Sequence, residues 1–142
     1  MSLKIRALLK SPWVFHLATG SCNNCDIEIL DCLTPRFDIE RFGMLLVGSI
    51  RHADVLLCTG AVTNQCTERV KRLYEQVPKP VIVVAVGACA CSQGIFKGSY
   101  NMPKPLDEII PVDVYIPGCP PKPEAIIAGA VKVIEKVRKS IK

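Results

Sequence analysis

Eight cysteines, at positions 22, 25, 32, 58, 66, 89, 91 and 119 of a 142-residue chain, are the side chains with the most chemistry to offer. As thiolates they are nucleophiles, redox partners and soft metal ligands. A secreted disulfide framework would require an export signal. Lys4, Arg6 and Lys10 interrupt Leu3, Ile5, Leu8 and Leu9 before an apolar run of that length can form, so export is not expected. In a reducing compartment a metal is the more natural use of so many thiols. Four of them stand in tight, irregular contexts: Gly20-Ser-Cys-Asn-Asn-Cys25, Gly87-Ala-Cys-Ala90 and Pro117-Gly-Cys-Pro-Pro121. Gly and Pro hold sharp loops, and Gly lets backbone N–H groups come close to a sulfur atom.

What must bring Cys22, Cys25, Cys89 and Cys119 together is a set of short apolar runs. Segments 13–19, 54–59, 80–86 and 112–117 are rich in β-branched residues and read as strands. The middle two are nearly continuous in their apolar character, the pattern of parallel strands covered on both faces. Between them 67–77 places Val70, Leu73, Tyr74 and Val77 on one helical face, with Glu68 and Arg72 spaced to pair. A last helix over 123–141 opens on Pro123, with Ile127, Val131, Ile134, Val137 and Ile141 as its expected stripe. Strand followed by helix, repeated, predicts an α/β fold: an open, mainly parallel, flavodoxin-like sheet with helices on both faces. Residues 13–142 are expected to form this one domain and 1–12 an N-terminal arm. In such a sheet the loops leaving the strand C-termini share one edge, where ligands bind. All four cysteines follow predicted strands, so they can meet although Cys89 comes 64 positions after Cys25 and Cys119 comes 30 positions after Cys89.

Composition narrows the partners. Hydrophobic residues make up 49% and charged residues 22%, enough to close a core and too apolar for a disordered chain. The net charge of +5 favours anionic partners at long range without forming a nucleic-acid stripe, although 131–142 is a basic end. The longest uncharged run, 80–96, is broken by glycines and polar residues and falls short of a membrane span.

Four thiols on one edge suit an iron–sulfur cluster, which takes four thiolates. Cys-x-x-Cys alone would equally suit zinc or a redox dithiol, but a dithiol leaves Cys89 and Cys119 without a role, and structural zinc more often uses two local cysteine pairs. A zinc-stabilised scaffold stays as an alternative. Cys32 and Cys58 read as small core residues. Cys66 is a reserve ligand ahead of a helix, and Cys91 another, since residues two apart in an extended segment face the same side. His16, inside a strand, reads as a hydrogen-bonded core residue.

These strings resemble a known family. Gly-Ser-Cys22-Asn-Asn-Cys25-Asp-Ile-Glu, Gly-x-Cys89-Ala and Pro-Gly-Cys119-Pro-Pro are similar to the small subunit of nickel–iron hydrogenases and the related terminal-cluster subunit of respiratory complex I, over residues 13–130. Cys25-Asp-Ile-Glu-Ile-Leu, Thr34-Pro-Arg-Phe-Asp-Ile-Glu-Arg-Phe-Gly43 and Arg51-His-Ala-Asp-Val resemble most the membrane-bound, energy-converting (group 4) hydrogenases. The resemblance implies that Cys22, Cys25, Cys89 and Cys119 bind one 4Fe-4S cluster, proximal to a nickel–iron site on a separate large subunit. Two residues stand between Cys22 and Cys25, whereas the complex I subunit is expected to carry adjacent cysteines there. The chain would then relay electrons, with no catalytic residue of its own, between that large subunit and a ferredoxin-like iron–sulfur subunit. It would sit beside integral membrane ion-translocating subunits on the cytoplasmic face of the membrane. The alternative within the resemblance is a complex I-like quinone- or sulfur-reducing oxidoreductase with the same cluster. Glu28 is expected either to face the large subunit or simply to favour a helix N-terminus. Arg51 or His52 are expected either beside the cluster or in an ordinary loop salt bridge. Asp38, Glu40 and Arg41 are expected to dock the large subunit or to form the wet side of an amphipathic turn.

Overall fold

Two continuous apolar strands at the centre of the sheet set the architecture. The computed structural model describes residues 10–140, with side chains through Glu135. Residues 1–9 of the expected arm, the side chains of Lys136, Val137, Arg138, Lys139 and Ser140, and Ile141 and Lys142 lie outside what is described. In chain order come β1 (Trp13–Ala18), α1 (Asn24–Asp31), β2 (Leu45–Leu46), β3 (Val55–Thr59), α2 (Asn64–Gln76), β4 (Ile82–Val86), α3 (Ala88–Ser92), β5 (Val114–Ile116) and α4 (Pro123–Ser140). The sheet runs β2-β1-β3-β4-β5 with every pairing parallel. This is the flavodoxin-like order, in which the chain reverses direction across the sheet between β1 and β3.

Register splits the core cleanly, because successive strand residues face opposite ways. Leu56 and Cys58 of β3 and Val83 and Ala85 of β4 point to one face, which Val70 of α2 and Ala90 of α3 cover. Val55 of β3 and Val84 and Val86 of β4 point to the other, under Ile29 of α1 and Ile126 and Val133 of α4. Leu56, fully buried, sits opposite both Phe15 and Val83.

Four details differ from expectation. A fifth strand, β2, joins the edge beside β1 with only two residues, too few to show a pattern. Helix α2 begins at Asn64, three residues early, because Thr63 caps it by accepting from the Cys66 N–H. Glu68 pairs with Lys71 at 2.9 Å, one position nearer than Arg72. The stripe of α4 is rotated: Ile126, Gly129 and Val133 face inward while Val131 is half exposed. Gly129 explains the rotation, since the Ile116 side chain occupies the space a Cβ there would need. At this point α4 lies against β5 through a residue without a side chain.

Candidate metal centre

The three cysteine-bearing loops leave the C-terminal ends of β1, β4 and β5 on the same edge of the sheet. After β1, Asn23 adopts a left-handed conformation (φ 70°) and turns the chain into α1, which leaves Cys22 outside the helix and Cys25 in its first turn. After β4, Gly87 leads into α3, whose second residue is Cys89. After β5, Gly118 precedes Cys119. Backbone hydrogen bonds tie the last two loops together: the Gly87 N–H donates to the Ile116 carbonyl at 2.8 Å and the Ala88 N–H to the Gly118 carbonyl at 2.7 Å. The first loop is anchored to the end of β3 through Thr19, whose hydroxyl donates to the carbonyls of Thr59 and Gly60 at 3.0 and 3.1 Å.

Cys25 reaches across the top of β3 to Gly87. A Cβ at Gly87 would stand 2.5 Å from the Cys25 sulfur, and the backbone there has φ +89°, a conformation that L side chains rarely adopt. Only glycine leaves that space to the thiol. Cys25 and Cys89 are partly buried, and Cys22 and Cys119 are exposed. The four sulfurs lie within each other's field. Burial, and after it the charges of Cys22, Cys89, Asp26 and Cys119, push the Cys25 thiol up to about 11. Burial, then Cys119 and Cys22, raise Cys89.

Deprotonating four thiols carried on one rim is costly unless a cation takes up their charge, so the donor set fits a thiolate-bound metal group. Among the described residues no three His, Cys, Asp or Glu side chains close on a point that could hold a single metal ion.

The raised Cys25 thiol sets a pH dependence for the metal-free chain. Its folded pKa of about 11 lies above the ordinary 9.0, so its contribution to stability is complete below about pH 9 and is lost as the pH climbs toward about 11. Cys58, pushed to about 12 by burial, and Cys32, at about 11 from burial with Asp31, Glu28 and Glu124 nearby, act in the same direction. Urea midpoints of metal-free chain are expected to hold steady from pH 7 to 9 and fall from 9 to 11. A flat profile across that upper range would contradict the burial of these thiols.

The other predicted positions separate from the rim. Cys58 is fully buried in the core and Cys32 nearly so, as expected. Cys66 packs against the core face beneath α2. Cys91 is a correction: α3 is helical rather than extended, so Cys91 turns away from Cys89 and its thiol donates to the carbonyls of Ala85 at 3.6 Å and Ile116 at 3.7 Å. Arg51 and His52 are a second correction. They form a turn just before β3, at the strand N-termini, and five residues of strand put them about 17 Å from the cysteine edge. There the His52 ring meets Trp13 edge-on at 6.3 Å between centroids. Asp38, Glu40 and Arg41 lie beyond the far end of α1, where Arg41 pairs with Asp38 at 3.3 Å around the buried Ile39 while Phe42 is exposed. Glu28 is partly buried on α1, and its backbone carbonyl accepts from the Cys32 thiol at 3.3 Å.

A polar network behind Cys25 went unread in the sequence. His16 is hydrogen-bonded, as expected, but through a group rather than a single partner. The Asp26 carboxylate accepts from Ser21 Oγ at 2.6 Å on Oδ2, and from Thr59 Oγ1 at 2.6 Å on Oδ1. His16 Nε2 stands 2.9 Å from both Asp26 Oδ1 and Thr59 Oγ1. Burial works to raise the Asp26 carboxyl, and the hydrogen bonds from Ser21 and Thr59 together with His16 overcome it, holding Asp26 below the usual carboxylate range. An ionised Asp26 only accepts, so Nε2 carries the ring proton. His16 and Thr59 share strand parity with Val14 and Val55, whose side chains face the core under α1. Two polar residues on an apolar face were the available signal.

From residue 22 to residue 133 the chain matches the family described as NADH ubiquinone oxidoreductase, 20 kDa subunit. It belongs to that family. It is 62% identical over 133 residues to the probable membrane-bound hydrogenase subunit mbhJ of Pyrococcus furiosus, spanning 94% of this chain and 80% of that protein. It is 44% identical over 126 residues to an NADH-quinone oxidoreductase subunit of Citrifermentans bemidjiense, spanning 89% of this chain and 71% of the other. Among solved structures, a chain of the membrane-bound sulfane sulfur reductase, an archaeal respiratory membrane complex, superposes with a TM-score of 0.84 at 40% identity, over 96% of this chain and 76% of that one. Members of the 20 kDa subunit family are thus subunits of oxidoreductase complexes, and the parallel sheet described above is the fold they share. Among the described residues no helix is long and apolar enough to cross a membrane, so no described part of this member spans one by a helix.

Proposed function

We propose that this chain is the electron-transfer small subunit of an energy-converting nickel–iron hydrogenase, holding one 4Fe-4S cluster on Cys22, Cys25, Cys89 and Cys119. What supports the proposal is that three loops on one edge of the sheet carry the four thiols, with Gly87 left bare beside the Cys25 sulfur. When bound, such a cluster supplies reversible one-electron storage. The chain's own part is to present four thiols that give up their protons on ligation and to exclude water on one side through partly buried Cys25 and Cys89. On the other side exposed Cys22 and Cys119 leave a face for a partner's redox centre. The rest of the assembly is the one the resemblance implies: a large subunit with the nickel–iron site, a ferredoxin-like iron–sulfur subunit, and membrane ion-translocating subunits. This chain would be peripheral to them, on the cytoplasmic face.

The similarity to a sulfane sulfur reductase chain, at 40% identity, supports a second reading in which the same cluster serves sulfur or quinone reduction. Anaerobic purification of the intact complex separates the two. The hydrogenase reading expects nickel in the co-purifying large subunit and hydrogen evolution from a reduced low-potential donor. A nickel-free complex that reduces sulfane sulfur and evolves no hydrogen would establish the second reading instead.

A further inference from the structure

Helix α1 begins with a carboxylate fixed from three directions. Asp26 directly follows Cys25, its side chain is only 16% exposed, and its donors come from three elements: Ser21 from the cysteine loop, Thr59 from the end of β3 and His16 from the middle of β1. Both oxygens are engaged, Oδ2 by Ser21 and Oδ1 by Thr59 and His16, so the rotamer is fixed. A carboxylate in the first turn of a helix is favoured by the helix dipole alone, and that would need none of these donors. Placing His16 and Thr59 on a face otherwise lined by Val14, Val55 and Val84 costs apolar packing. The network therefore does more than cap a helix. Asp26 follows Cys25 in the first turn of α1, so its fixed carboxylate stands next to that thiol in the chain.

We infer that Asp26 is a fixed anion, held beside Cys25 by Ser21, Thr59 and His16, which positions the Cys22–Cys25 loop and lowers the reduction potential of a cluster bound there. The inference rests on the electron-relay reading. A negative charge in a poorly solvated position close to a cluster opposes the arrival of an electron, and cluster potentials respond to net charge and hydrogen bonding. Asp26 touches no reacting atom of a substrate; it acts through Cys25 as a positioning residue.

The test is an EPR-monitored redox titration of the intact, anaerobically purified complex carrying wild-type chain, Asp26→Asn, Thr59→Val or Ser21→Ala. Asp26→Asn removes the charge and keeps the shape, and is expected to favour reduction by roughly tenfold, a positive shift of about 59 mV for one electron. Thr59→Val and Ser21→Ala keep the charge; the first removes one of the two donors on Oδ1 and the second the Ser21 donor on Oδ2, and both are expected to broaden or split the EPR signal with a smaller shift. A loaded Asp26→Asn complex with the wild-type potential and spectrum, merely less heat-stable, would reduce Asp26 to a helix-capping charge and overturn the inference. Should Asp26→Asn fail to load, Thr59→Val and Ser21→Ala decide: wild-type spectra and potentials in both overturn it, altered spectra support it. A wild-type complex without any cluster signal would overturn the relay reading, and this inference with it; a loaded wild type unaffected by these changes overturns this inference alone.

Discussion

Serine in place of any one of Cys22, Cys25, Cys89 or Cys119 is expected to weaken cluster retention by more than about 100-fold, beyond the 10–100-fold typical of losing an outer-shell partner. Serine in place of Cys91 or Cys66 is expected to leave iron content unchanged. The contrast is sharp because Cys89 and Cys91 are two residues apart on one short helix. There is no difference of composition or neighbourhood to separate them, only direction: Cys89 faces the rim, while Cys91 points its thiol back at the Ala85 and Ile116 carbonyls. Iron and acid-labile sulfide measured on each variant check this directly. Iron retained by the Cys89 variant and lost by the Cys91 variant would reverse the assignment.

Gly87→Ala should have the next largest effect, through two causes that can be separated. The first is backbone strain: alanine at φ +89° costs more than about 1 kcal/mol. The second is collision, since the new Cβ would stand 2.5 Å from the Cys25 sulfur and must displace a ligand. Gly98 provides the control, with φ +83° and nothing within 4 Å of an added Cβ. Gly98→Ala should therefore lower the denaturation midpoint by a comparable amount and leave iron loading intact, while Gly87→Ala lowers both. Equal iron content in the two variants would mean that the space beside Cys25 does not matter to the site.

Much of this arrangement was legible before any coordinates. β3 and β4 are buried on both faces, and a strand in that position can only be an unbroken apolar run. Cysteines next to Gly and Pro after predicted strands could only fall on the ligand-binding edge of a parallel sheet. What escaped reading did so for particular reasons. Two residues of β2 carry no periodicity. The five residues of α3 are too few to show helical spacing, so Cys91 looked like a neighbour of Cys89 on one side of an extended segment. In α4 one of the inward positions is Gly129, which no search for an apolar stripe can find. Arg51 and His52 stand close to β3 in sequence but at the wrong end of it, and their place follows from strand direction alone. The Asp26 network joins residues 16, 21, 26 and 59, whose proximity depends on the pairing of Ala18 with Thr59 across β1 and β3. Local pattern marks His16 as a polar intruder on an apolar face, and only the register supplies its partners.

The central claim, one 4Fe-4S cluster on four cysteines of this chain, is tested most directly by counting. Chain purified anaerobically, alone or within its complex, should contain about four irons and about four acid-labile sulfides attributable to this subunit, with an EPR signal that appears on reduction and vanishes in the Cys22, Cys25, Cys89 and Cys119 variants. One zinc per chain with no sulfide, or iron that survives all four substitutions, would contradict it.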